Sequence, residues 1–326
     1  NTFASRNALK AFITEKGGNL VSSMSVKADY LIMNDSDSNT EKKQKAEELG
    51  IDIITERQFN EKVGRIFDIN KQGHLIKYAG AGGNVVIPES VKTIGDNAFK
   101  DCKSLSSVVI SNSVEEIRSH AFSDCTSLTS VVISEGVKTI GSSAFSGCTS
   151  LTSVVISESV KTISDFAFEG CTSLISVVIP ESVKTISDFA FKGCTSLTSM
   201  VIPESVTTIG DAVFHGCPGL ADEKGFVVIR NVLYDYFGKE ENVILPEGVT
   251  EIGSSAFKGC TSLASVVIPE SVTKIGSCAF SDCTLLASVV IPESVTEIGI
   301  EAFWYCTSLT SVVIPELVTT IDIRAY

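Results

Sequence analysis

Residues Cys148–Gly170 read CTSLTSVVISESVKTISDFAFEG, and close copies of this 23-residue unit recur along most of the 326-residue chain. Six cysteines in Cys102–Cys217 and three in Cys260–Cys306 follow one another at 23-residue intervals, and only Cys278 lies outside this register. A fixed period of this length is typical of solenoids, in which each repeat forms one coil of a stack. A single coil cannot bury both of its faces alone, so the repeats are predicted to stack on one another.

The first half of each repeat predicts a short strand. In the quoted unit, Leu151, Val154 and Ile156 have the L-x-x-L-x-L spacing of a leucine-rich strand. Side chains alternate along a strand, so Val154 and Ile156 point into the core, whereas Ser153 and Val155 point outward. A proline follows the strand in several copies and ends the hydrogen-bonded ladder, because proline has no amide hydrogen.

The second half of each repeat predicts a short helical segment. Ile163, Ala167 and Cys171 are spaced i, i+4, i+8 and would share one face of a helix. An aspartate or serine, such as Asp165, occupies the expected N-cap. A glycine or aspartate, such as Gly170, occupies a C-terminal position suited to positive φ. Strand and helical segment together predict an α/β solenoid with a parallel sheet.

The run IPESVTTIGDAVFHGC at Ile202–Cys217, with its sister copies that carry Ala-Phe, resembles the BspA-like leucine-rich repeat family. The resemblance extends from Arg65 to Tyr326 and implies that residues 64–326 form a leucine-rich repeat solenoid with its parallel sheet on the concave face. The family is associated with bacterial and protozoan surface proteins that bind host or bacterial partners, and it is not an enzyme family. Its usual first segment matches Ile66–Val91, which predicts a small hairpin within residues 65–87 that covers the first coil.

An insertion at residues 221–242 interrupts the repeats. Its sequence predicts a β-hairpin with strands Phe226–Ile229 and Val232–Tyr236 around a turn at Arg230-Asn231. The aromatic rings of this hairpin have two interpretations. They either cover the solenoid where the repeat is broken or form a protruding recognition knob, since insertions in solenoids often map to the binding face. The aromatic residues that the hairpin brings together are Phe226, Tyr234, Tyr236 and Phe237.

Residues 1–63 show no 23-residue periodicity and form a different unit. Gly17-Gly18 and the runs VKADYLI, KKQKAEELGI and ITERQF resemble a BRCT domain of the type found in bacterial DNA ligases. The family's first strand, with a Thr/Ser-Gly pair that helps to bind phosphate, would precede Asn1, so this α/β domain is expected to be truncated and the natural protein to begin upstream. The elements predicted are helices at Ser5–Lys16, Asn39–Gly50 and from Thr55 through Phe59, and strands at Leu20-Val21, Ala28–Asp35 and Ile51–Ile54.

Phosphopeptide-binding BRCT domains combine that first-strand motif with a lysine at the start of the second helix. Lys42 and Lys43 fit this position. The resemblance therefore implies a phosphate contact at Lys42 or Lys43, although a lysine at the start of a surface helix is also an ordinary solvated residue.

Charge and composition argue against several classes of function. The chain has 26 lysines and arginines against 39 aspartates and glutamates, and 17 basic and 29 acidic residues follow Val63. This excess argues against nucleic acid as a partner of the solenoid, although the BRCT-like domain leaves that partner open for itself. No apolar run approaches the ~18 residues of a membrane span. The three histidines lie in unrelated contexts, and no catalytic, metal-binding or phosphate-loop motif occurs. We therefore predict no enzyme activity, catalytic residue, cofactor or metal.

The cysteine column has two interpretations. Stacked cysteines would lie ~5 Å apart, within the Cα separation of a disulfide. Equivalent side chains on stacked coils point in parallel, however, whereas a disulfide needs facing Cβ vectors. We therefore predict buried free thiols that pack as small apolar groups.

The outward strand face is the first candidate binding surface. Its valines, here called the Val ladder, are Val109, Val132, Val155, Val178, Val201, Val267, Val290 and Val313. An uncharged stripe of exposed valine is the kind of apolar patch that marks interfaces. Valines in register also stabilise parallel stacking by themselves, so a purely structural role is the alternative. The residues predicted to bind are Ser130, Val132, Ser153, Val155, Ser176, Val178, Ser199 and Val201.

A column of glutamates after each strand is the second candidate. This Glu ladder comprises Glu89, Glu135, Glu158, Glu181, Glu204, Glu247, Glu270, Glu293 and Glu316. Three residues further on, the first half of the solenoid has lysines that can compensate the charge, whereas the second half has threonines. A cation or a basic partner would fit this edge, and so would plain solvation. The compensating lysines are Lys92, Lys138, Lys161 and Lys184.

Together these features predict a non-enzymatic, adhesion-type protein that recognises a protein or glycan through the uncharged strand face, with the hairpin at residues 226–237 as an auxiliary contact. The alternative is an intracellular adaptor whose BRCT-like domain binds phosphopeptides or DNA ends while the solenoid acts as a scaffold. The repeat family favours the cell surface or secretion, and the BRCT-like domain favours the cytoplasm.

Overall fold

The computed structural model describes residues 30–32, 40–55 and 66–321. In the N-terminal part, the strands Tyr30–Ile32 and Asp52–Ile54 pair in parallel, and the helix Thr40–Glu48 connects them. This strand–helix–strand unit confirms three of the predicted elements. The predicted helix at Ser5–Lys16, the strand at Leu20-Val21 and the helix that holds Phe59 lie outside the described residues.

The rest of the chain is a parallel β-solenoid, which confirms the predicted leucine-rich repeat stack. Most coils carry two short strands, which pair with the equivalent strands of the neighbouring coils in the same half. The Val strands, which follow the leucine, are Gly83–Val86, Leu105–Val109, Ser130–Val132, Ser153–Val155, Ser176–Val178, Ser199–Val201, Asn242–Ile244, Ser265–Val267 and Ser288–Val290. The Ile strands are Thr93–Ile94, Glu116–Ile117, Thr139–Ile140, Thr162–Ile163, Thr185–Ile186, Thr208–Ile209, Glu251–Ile252, Lys274–Ile275, Glu297–Ile298 and Thr320–Ile321.

A column of phenylalanines fills the interior between the two sets of strands. Successive rings stack nearly parallel, with centroids 4.8–6.3 Å apart in consecutive coils. Each buried ring stabilises the fold by about 1.5–3 kcal/mol, but only when a neighbouring coil covers it. The fully buried members are Phe99, Phe122, Phe145, Phe168, Phe191, Phe214, Phe257 and Phe280.

The predicted helical segment of the repeat is wrong in detail, because the corresponding residues form consecutive turns. Cys171 N donates to Phe168 O at 3.2 Å, and Phe168 N donates to Ala190 O of the next coil at 2.8 Å. Two residues with positive φ, Phe166 (58°) and Gly170 (68°), interrupt the backbone where a helix would have to continue. The backbone therefore satisfies its hydrogen bonds between coils and not within a helix.

The expected N-cap side chains bond across coils for the same reason. Asp96 Oδ1 accepts a hydrogen bond from Ser119 N at 3.1 Å, and Asp188 Oδ1 accepts one from Asp211 N at 2.8 Å. The predicted positive φ at the closing position is confirmed, both for glycines and for residues such as Asp124 (59°). Within residues 66–321 the structure contains one defined helix of at least three residues, the short 3-10 helix Pro218–Leu220.

Two antiparallel hairpins interrupt the parallel order. The leading hairpin consists of strands Phe67–Ile69 and His74–Tyr78, and the joint hairpin consists of strands Phe226–Ile229 and Val232–Tyr236. The strands of the joint hairpin match the prediction residue for residue. Its turn at Arg230-Asn231 has two positive φ values, 50° and 64°, as a tight two-residue hairpin requires.

The joint hairpin divides the solenoid into two halves. The Val strands form one six-stranded sheet that ends at Ser199–Val201 and one three-stranded sheet that begins at Asn242–Ile244. The Ile strands are divided in the same way, and each of their two sheets has one of the hairpins at its first edge. The buried apolar residues likewise form two clusters, which meet at the joint hairpin.

Candidate interaction surfaces

The Val ladder is exposed along its whole length, as the strand alternation predicts. Val155 is 57% exposed and Val178 64%, while their neighbours Val154 and Val177 are buried. Val155 pairs in register with Val132 of the preceding coil. Neighbouring side chains of the ladder therefore repeat at the ~4.8 Å spacing of paired strands. Ile244, 70% exposed, occupies the position of the Val ladder at which the second half begins.

The serines of this face are also exposed, and their hydroxyls have few fixed partners. Ser130, Ser153, Ser176 and Ser199 are all exposed. At the first coil of each half an asparagine holds the serine beside it: Ser107 Oγ donates to Asn84 Oδ1 at 2.8 Å, and Ser265 Oγ donates to Asn242 Oδ1 at 2.6 Å. The predicted strand-face residues thus lie together on one uncharged surface.

The Glu ladder runs beside the Val ladder and is exposed in both halves. We expected the lysines of the first half to compensate it, but among the described residues none of these lysines forms an ion pair with the ladder. Within the described part of the chain, the ion pair that the ladder does form joins Glu204 to Arg230, with Oε2 and Nη2 3.9 Å apart. The other recorded ion pairs of the solenoid lie elsewhere, as between Lys274 Nζ and Glu251 Oε1 at 2.8 Å.

The aromatic residues of the joint hairpin are covered, which corrects the prediction of an auxiliary contact. Phe226, Tyr234 and Tyr236 are at most 6% exposed, and Phe237 is half-buried. The Tyr234 ring meets Phe214 edge-on at 5.1 Å, and Tyr236 lies 5.2 Å from Phe257. The hairpin therefore continues the phenylalanine column across the insertion, and its rings cover the solenoid and do not protrude.

Polar contacts fix the first half onto the joint hairpin. The buried carboxylate of Asp235 accepts a hydrogen bond from Gly216 N at 2.7 Å and lies 3.2 Å from His215 Nδ1. The guanidinium of Arg230 donates to Val206 O at 2.6 Å and to Pro203 O. A charge-assisted bond in a covered site is worth more than one in water. These contacts make the joint hairpin an interface between the two halves.

The two hairpins share one design that the sequence alone did not reveal. Tyr78 stacks on Phe99 at 4.7 Å, as Tyr236 packs on Phe257. Both hairpins have a register shift after the second residue of the first strand. A Cβ atom at Gly80 would lie 2.3 Å from the Tyr78 hydroxyl, and one at Gly238 would lie 2.1 Å from the Tyr236 hydroxyl. The aligned pattern of tyrosine followed two residues later by glycine was the available sequence signal.

All ten cysteines are free, and seven of them donate from Sγ to a phenylalanine carbonyl of the preceding coil. Cys171 Sγ donates to Phe145 O at 3.2 Å, for example, and the same contact recurs 26 residues apart along the column. Burial raises the pKa of Cys217 and of Cys260 to about 12. These thiols stay protonated at neutral pH and are poor nucleophiles and poor metal ligands.

Sequence reasoning also missed a surface pair of aromatic residues with positive φ. Phe166 and Phe189 have φ of 58° and 57°, and their rings stack with centroids 4.8 Å apart. Lys192 Nζ lies 5.4 Å from the Phe189 ring and 3.1 Å from Glu169 Oε1. Stacking contributes about 0.5–1.5 kcal/mol, which offsets only part of the roughly 1–2 kcal/mol that a left-handed backbone costs at each of the two residues.

The lysines proposed to bind phosphate lie at the start of the N-terminal helix. Lys42 and Lys43 are the third and fourth residues of Thr40–Glu48, and both are exposed. This position agrees with the start of a helix that follows a strand. The rest of the phosphate site expected from the resemblance lies outside the described residues.

The described surface offers shallow depressions and no clustered metal ligands. One depression of about 290 Å³ lies at residues 303–312, and another of about 130 Å³ lies beside Lys274 and Glu297. Small-molecule pockets usually measure ~300–1,000 Å³. Residues 30–32, 40–55 and 66–321 contain no group of three or more metal-ligating side chains, and none of their helices has the length and hydropathy of a membrane span.

Comparison with known families identifies two regions of the chain. The profile of the BspA type leucine rich repeat region matches residues 81–175 and 227–326, which is more than half of the chain. The gap in this match contains the last coils of the first half and the 3-10 helix. The profile of the BRCA1 C Terminus (BRCT) domain matches residues 2–61.

Solved structures of leucine-rich repeat proteins resemble the solenoid. A leucine rich cell surface protein from Faecalibacterium prausnitzii A2-165 is 32% identical over 79% of this chain and 89% of its own, with a TM-score of 0.48. A leucine-rich repeat protein from Eubacterium ventriosum ATCC 27560 is 23% identical over 77% of this chain and 74% of its own, with a TM-score of 0.53.

The N-terminal region is similar to part of bacterial DNA ligases. It is 51% identical over 59 residues to the DNA ligase of Ruminiclostridium cellulolyticum and 46% identical over 57 residues to that of Lachnoclostridium phytofermentans. The chain spans 9% of the length of each ligase, within the BRCT match and outside any catalytic domain.

Proposed function

The chain belongs to the BspA type leucine rich repeat family, and on that premise we propose that it is a non-enzymatic binding protein whose Val ladder contacts a protein or glycan partner. The observation that carries the proposal is the exposure of in-register valines, each more than half exposed, on a face without charged residues. Leaving a long apolar stripe in water is costly unless a partner covers it. The residues that would touch the partner in the first half are Ser130, Val132, Ser153, Val155, Ser176, Val178, Ser199 and Val201.

The size of the surface favours a macromolecular partner over a small molecule. The stripe extends over five consecutive coils, whereas the depressions of the described surface are shallow. Protein interfaces of ordinary size cover ~800 Å² on each partner. A surface of parallel strands several coils long offers that scale of contact without any enclosed cavity.

A double substitution within the ladder tests this function. Val155→Glu with Val178→Glu places two charges on the stripe and should abolish binding to the proteins or glycans that the unmodified chain captures on an array. Both side chains are more than half exposed. The free energy of unfolding should therefore change by no more than about 0.5 kcal/mol per site.

The matched control places the same charges on another exposed column. Thr149→Glu with Thr195→Glu, next to the cysteines, should leave capture unchanged. Capture that survives the valine substitutions at full strength would contradict the proposal.

A second candidate function rests on the BRCT match. We infer that residues 2–61 recruit a phosphorylated partner, with Lys42 and Lys43 at the start of the helix as the phosphate contacts, and that the solenoid then acts as a scaffold. Lys42→Ala with Lys43→Ala should weaken binding of a phosphopeptide or of 5′-phosphorylated DNA. Equal binding by the variant and the unmodified chain would remove this candidate.

A further inference from the structure

The two halves of the Val ladder differ in their electrostatic surroundings. In the second half the ladder consists of Ile244, Val267, Val290 and Val313, which are 55–80% exposed. Among the described residues the adjacent glutamates form no ion pair, and in the first half only Glu204 forms one, with Arg230, so the halves differ in the charged residues they carry and not in lysine pairs with the ladder. Residues 242–319 contain two lysines against eight acidic residues, and threonines stand where the first half has lysines. The second half thus combines an apolar stripe with an unneutralised acidic edge.

We propose that this second segment of the Val ladder is the docking surface for a basic amphipathic α-helix that lies along the axis of the solenoid. The helix would place its apolar side chains on Ile244, Val267, Val290 and Val313. Its lysines or arginines would face Glu247, Glu270, Glu293 and Glu316. This inference deepens the proposed function and rests on it, because it requires that the Val ladder be a contact surface.

The spacing of the ladder selects a helix over an extended peptide. Ile244, Val267 and Val290 lie on paired strands at the ~4.8 Å spacing. Val313 follows in the next coil, outside a defined strand, and at the same spacing the four positions would span about 14 Å. Apolar residues at i, i+3, i+7 and i+10 of a helix span about 15 Å, because the helix rises 1.5 Å per residue. Four same-face residues of an extended strand span about 20 Å. The helix stays in register with the four coils, and the extended peptide drifts by more than one coil.

The width of the surface fits the same occupant. The Val strands of this half are three residues long, about 10 Å, which is close to the ~10–12 Å diameter of a helix with its side chains. A helix laid across the strands therefore covers the stripe and brings one flank over the acidic edge.

Charge complementarity selects a basic partner. Glu270 and Glu293 are exposed and lie three residues after the ladder valines of their coils, within reach of a long basic side chain. An acidic helix would meet repulsion along this edge. A second copy of this chain would bring the same excess of acidic groups to the contact, since its formal net charge is −13.

Three synthetic peptides of about 14 residues test the occupant on the full chain. The first is helical, with leucines at i, i+3, i+7 and i+10, lysines on both flanks and alanines elsewhere. The second replaces each lysine with glutamate. The third keeps the composition of the first but alternates leucine and lysine, so that it is extended. We expect the first peptide to bind and the other two to bind at least tenfold more weakly by fluorescence anisotropy. Equal binding of the first and third peptides would overturn the helical register.

Substitutions locate the binding site. Replacement of Glu247, Glu270, Glu293 and Glu316 by glutamine should weaken binding of the basic helix about tenfold at low salt, since each exposed ion pair contributes little alone and salt screens it. Val267→Glu with Val290→Glu should abolish its binding. The matched controls Glu89→Gln, Glu135→Gln, Glu158→Gln and Glu181→Gln, combined in the first half, should change affinity less than twofold. An equal loss with the control set would show diffuse attraction and overturn the site.

The outcomes separate this inference from the proposed function. Suppose that Val155→Glu with Val178→Glu abolishes capture of the array partners, while the substitutions in the second half leave the affinity for the basic helix unchanged. The helix inference then fails and the Val ladder remains a contact surface. If neither set of ladder substitutions affects any binding, both proposals fail.

Discussion

The leading hairpin and the joint hairpin have the same backbone plan, yet one has an exposed outer face and the other a buried one. Leu75 and Leu233 pair with equivalent Ile strands, so Ile76 corresponds to Tyr234. Ile76 is 51% exposed, whereas Tyr234 is only 6% exposed because the last coil of the first half lies against it. One hairpin design thus serves to start a stack and also to join two stacks.

The difference shows how a solenoid can continue across an insertion. The joint hairpin presents aromatic side chains to both halves, and Asp235 bonds to a backbone amide of the first half. In the leading hairpin, the corresponding residue is Lys77, which is exposed. The sequence differences between the hairpins are therefore concentrated on the outer face. On the inner face the two hairpins have the same residue, Tyr78 in one and Tyr236 in the other.

The largest expected effect comes from the ring that joins the halves. Tyr234→Ala should lower the free energy of unfolding by about 3–5 kcal/mol, because it removes a buried aromatic ring and leaves a cavity against Phe214. The matched change Ile76→Ala, on the exposed face of the leading hairpin, should cost no more than about 0.5 kcal/mol. Chemical denaturation followed by circular dichroism measures both, and similar losses would refute the difference between the faces.

A smaller effect is expected at the buried carboxylate. Asp235→Ala should cost about 1–3 kcal/mol, since it leaves Gly216 N without its acceptor in a covered site. Lys77→Ala, at the corresponding exposed position, should be nearly neutral. Thermal unfolding of the two variants provides the comparison. A neutral Asp235→Ala would mean that this carboxylate does not hold the halves together.

A further expected effect, confined to alkaline pH, is a loss of stability through the thiols beside the two hairpins. Burial raises the pKa of Cys102, near the leading hairpin, to about 11, and that of Cys217 and Cys260, near the joint hairpin, to about 12. The folded state therefore keeps these protons when the unfolded chain begins to lose them near pH 9. The free energy of unfolding should be constant below pH 9 and fall between pH 9 and about 12.

Cysteine substitutions identify the source of this alkaline effect. Cys217→Ala with Cys260→Ala should reduce the slope of stability against pH in that range more than Cys102→Ala does. Denaturant titrations at pH 8, 9 and 10 measure the slope. A slope that is the same in all variants would assign the alkaline loss to other groups.

The sequence predicted the features that repeat and missed those that depend on neighbours. The 23-residue period predicted the stack, and alternation along Ser153–Ile156 predicted which side chains face outward. The helical segment was wrong because Ile163, Ala167 and Cys171 have a spacing that a series of turns also satisfies. Only the hydrogen bonds between coils distinguish the two structures, and those are not visible within one repeat.

The joint hairpin shows the same limit at the candidate site. Its strands and turn were predicted to the residue, because alternation and the Arg230-Asn231 pair are local signals. Whether its rings protrude or are buried depends on the coil ending at Cys217, which lies against them in space. The prediction that the lysines compensate the Glu ladder failed for a related reason. A separation of three residues between glutamate and lysine does not determine the direction in which either side chain points.

Hydrogen exchange of the unmodified chain tests most directly whether the insertion is part of the solenoid. The amides of residues 226–236 should exchange as slowly as those of the central Val strand Ser153–Val155, and Tyr234→Ala should accelerate exchange in residues 206–217 as well as in the hairpin. Exchange of residues 226–236 at the rate of the exposed segment Lys239–Glu241 would contradict the account and restore a protruding hairpin.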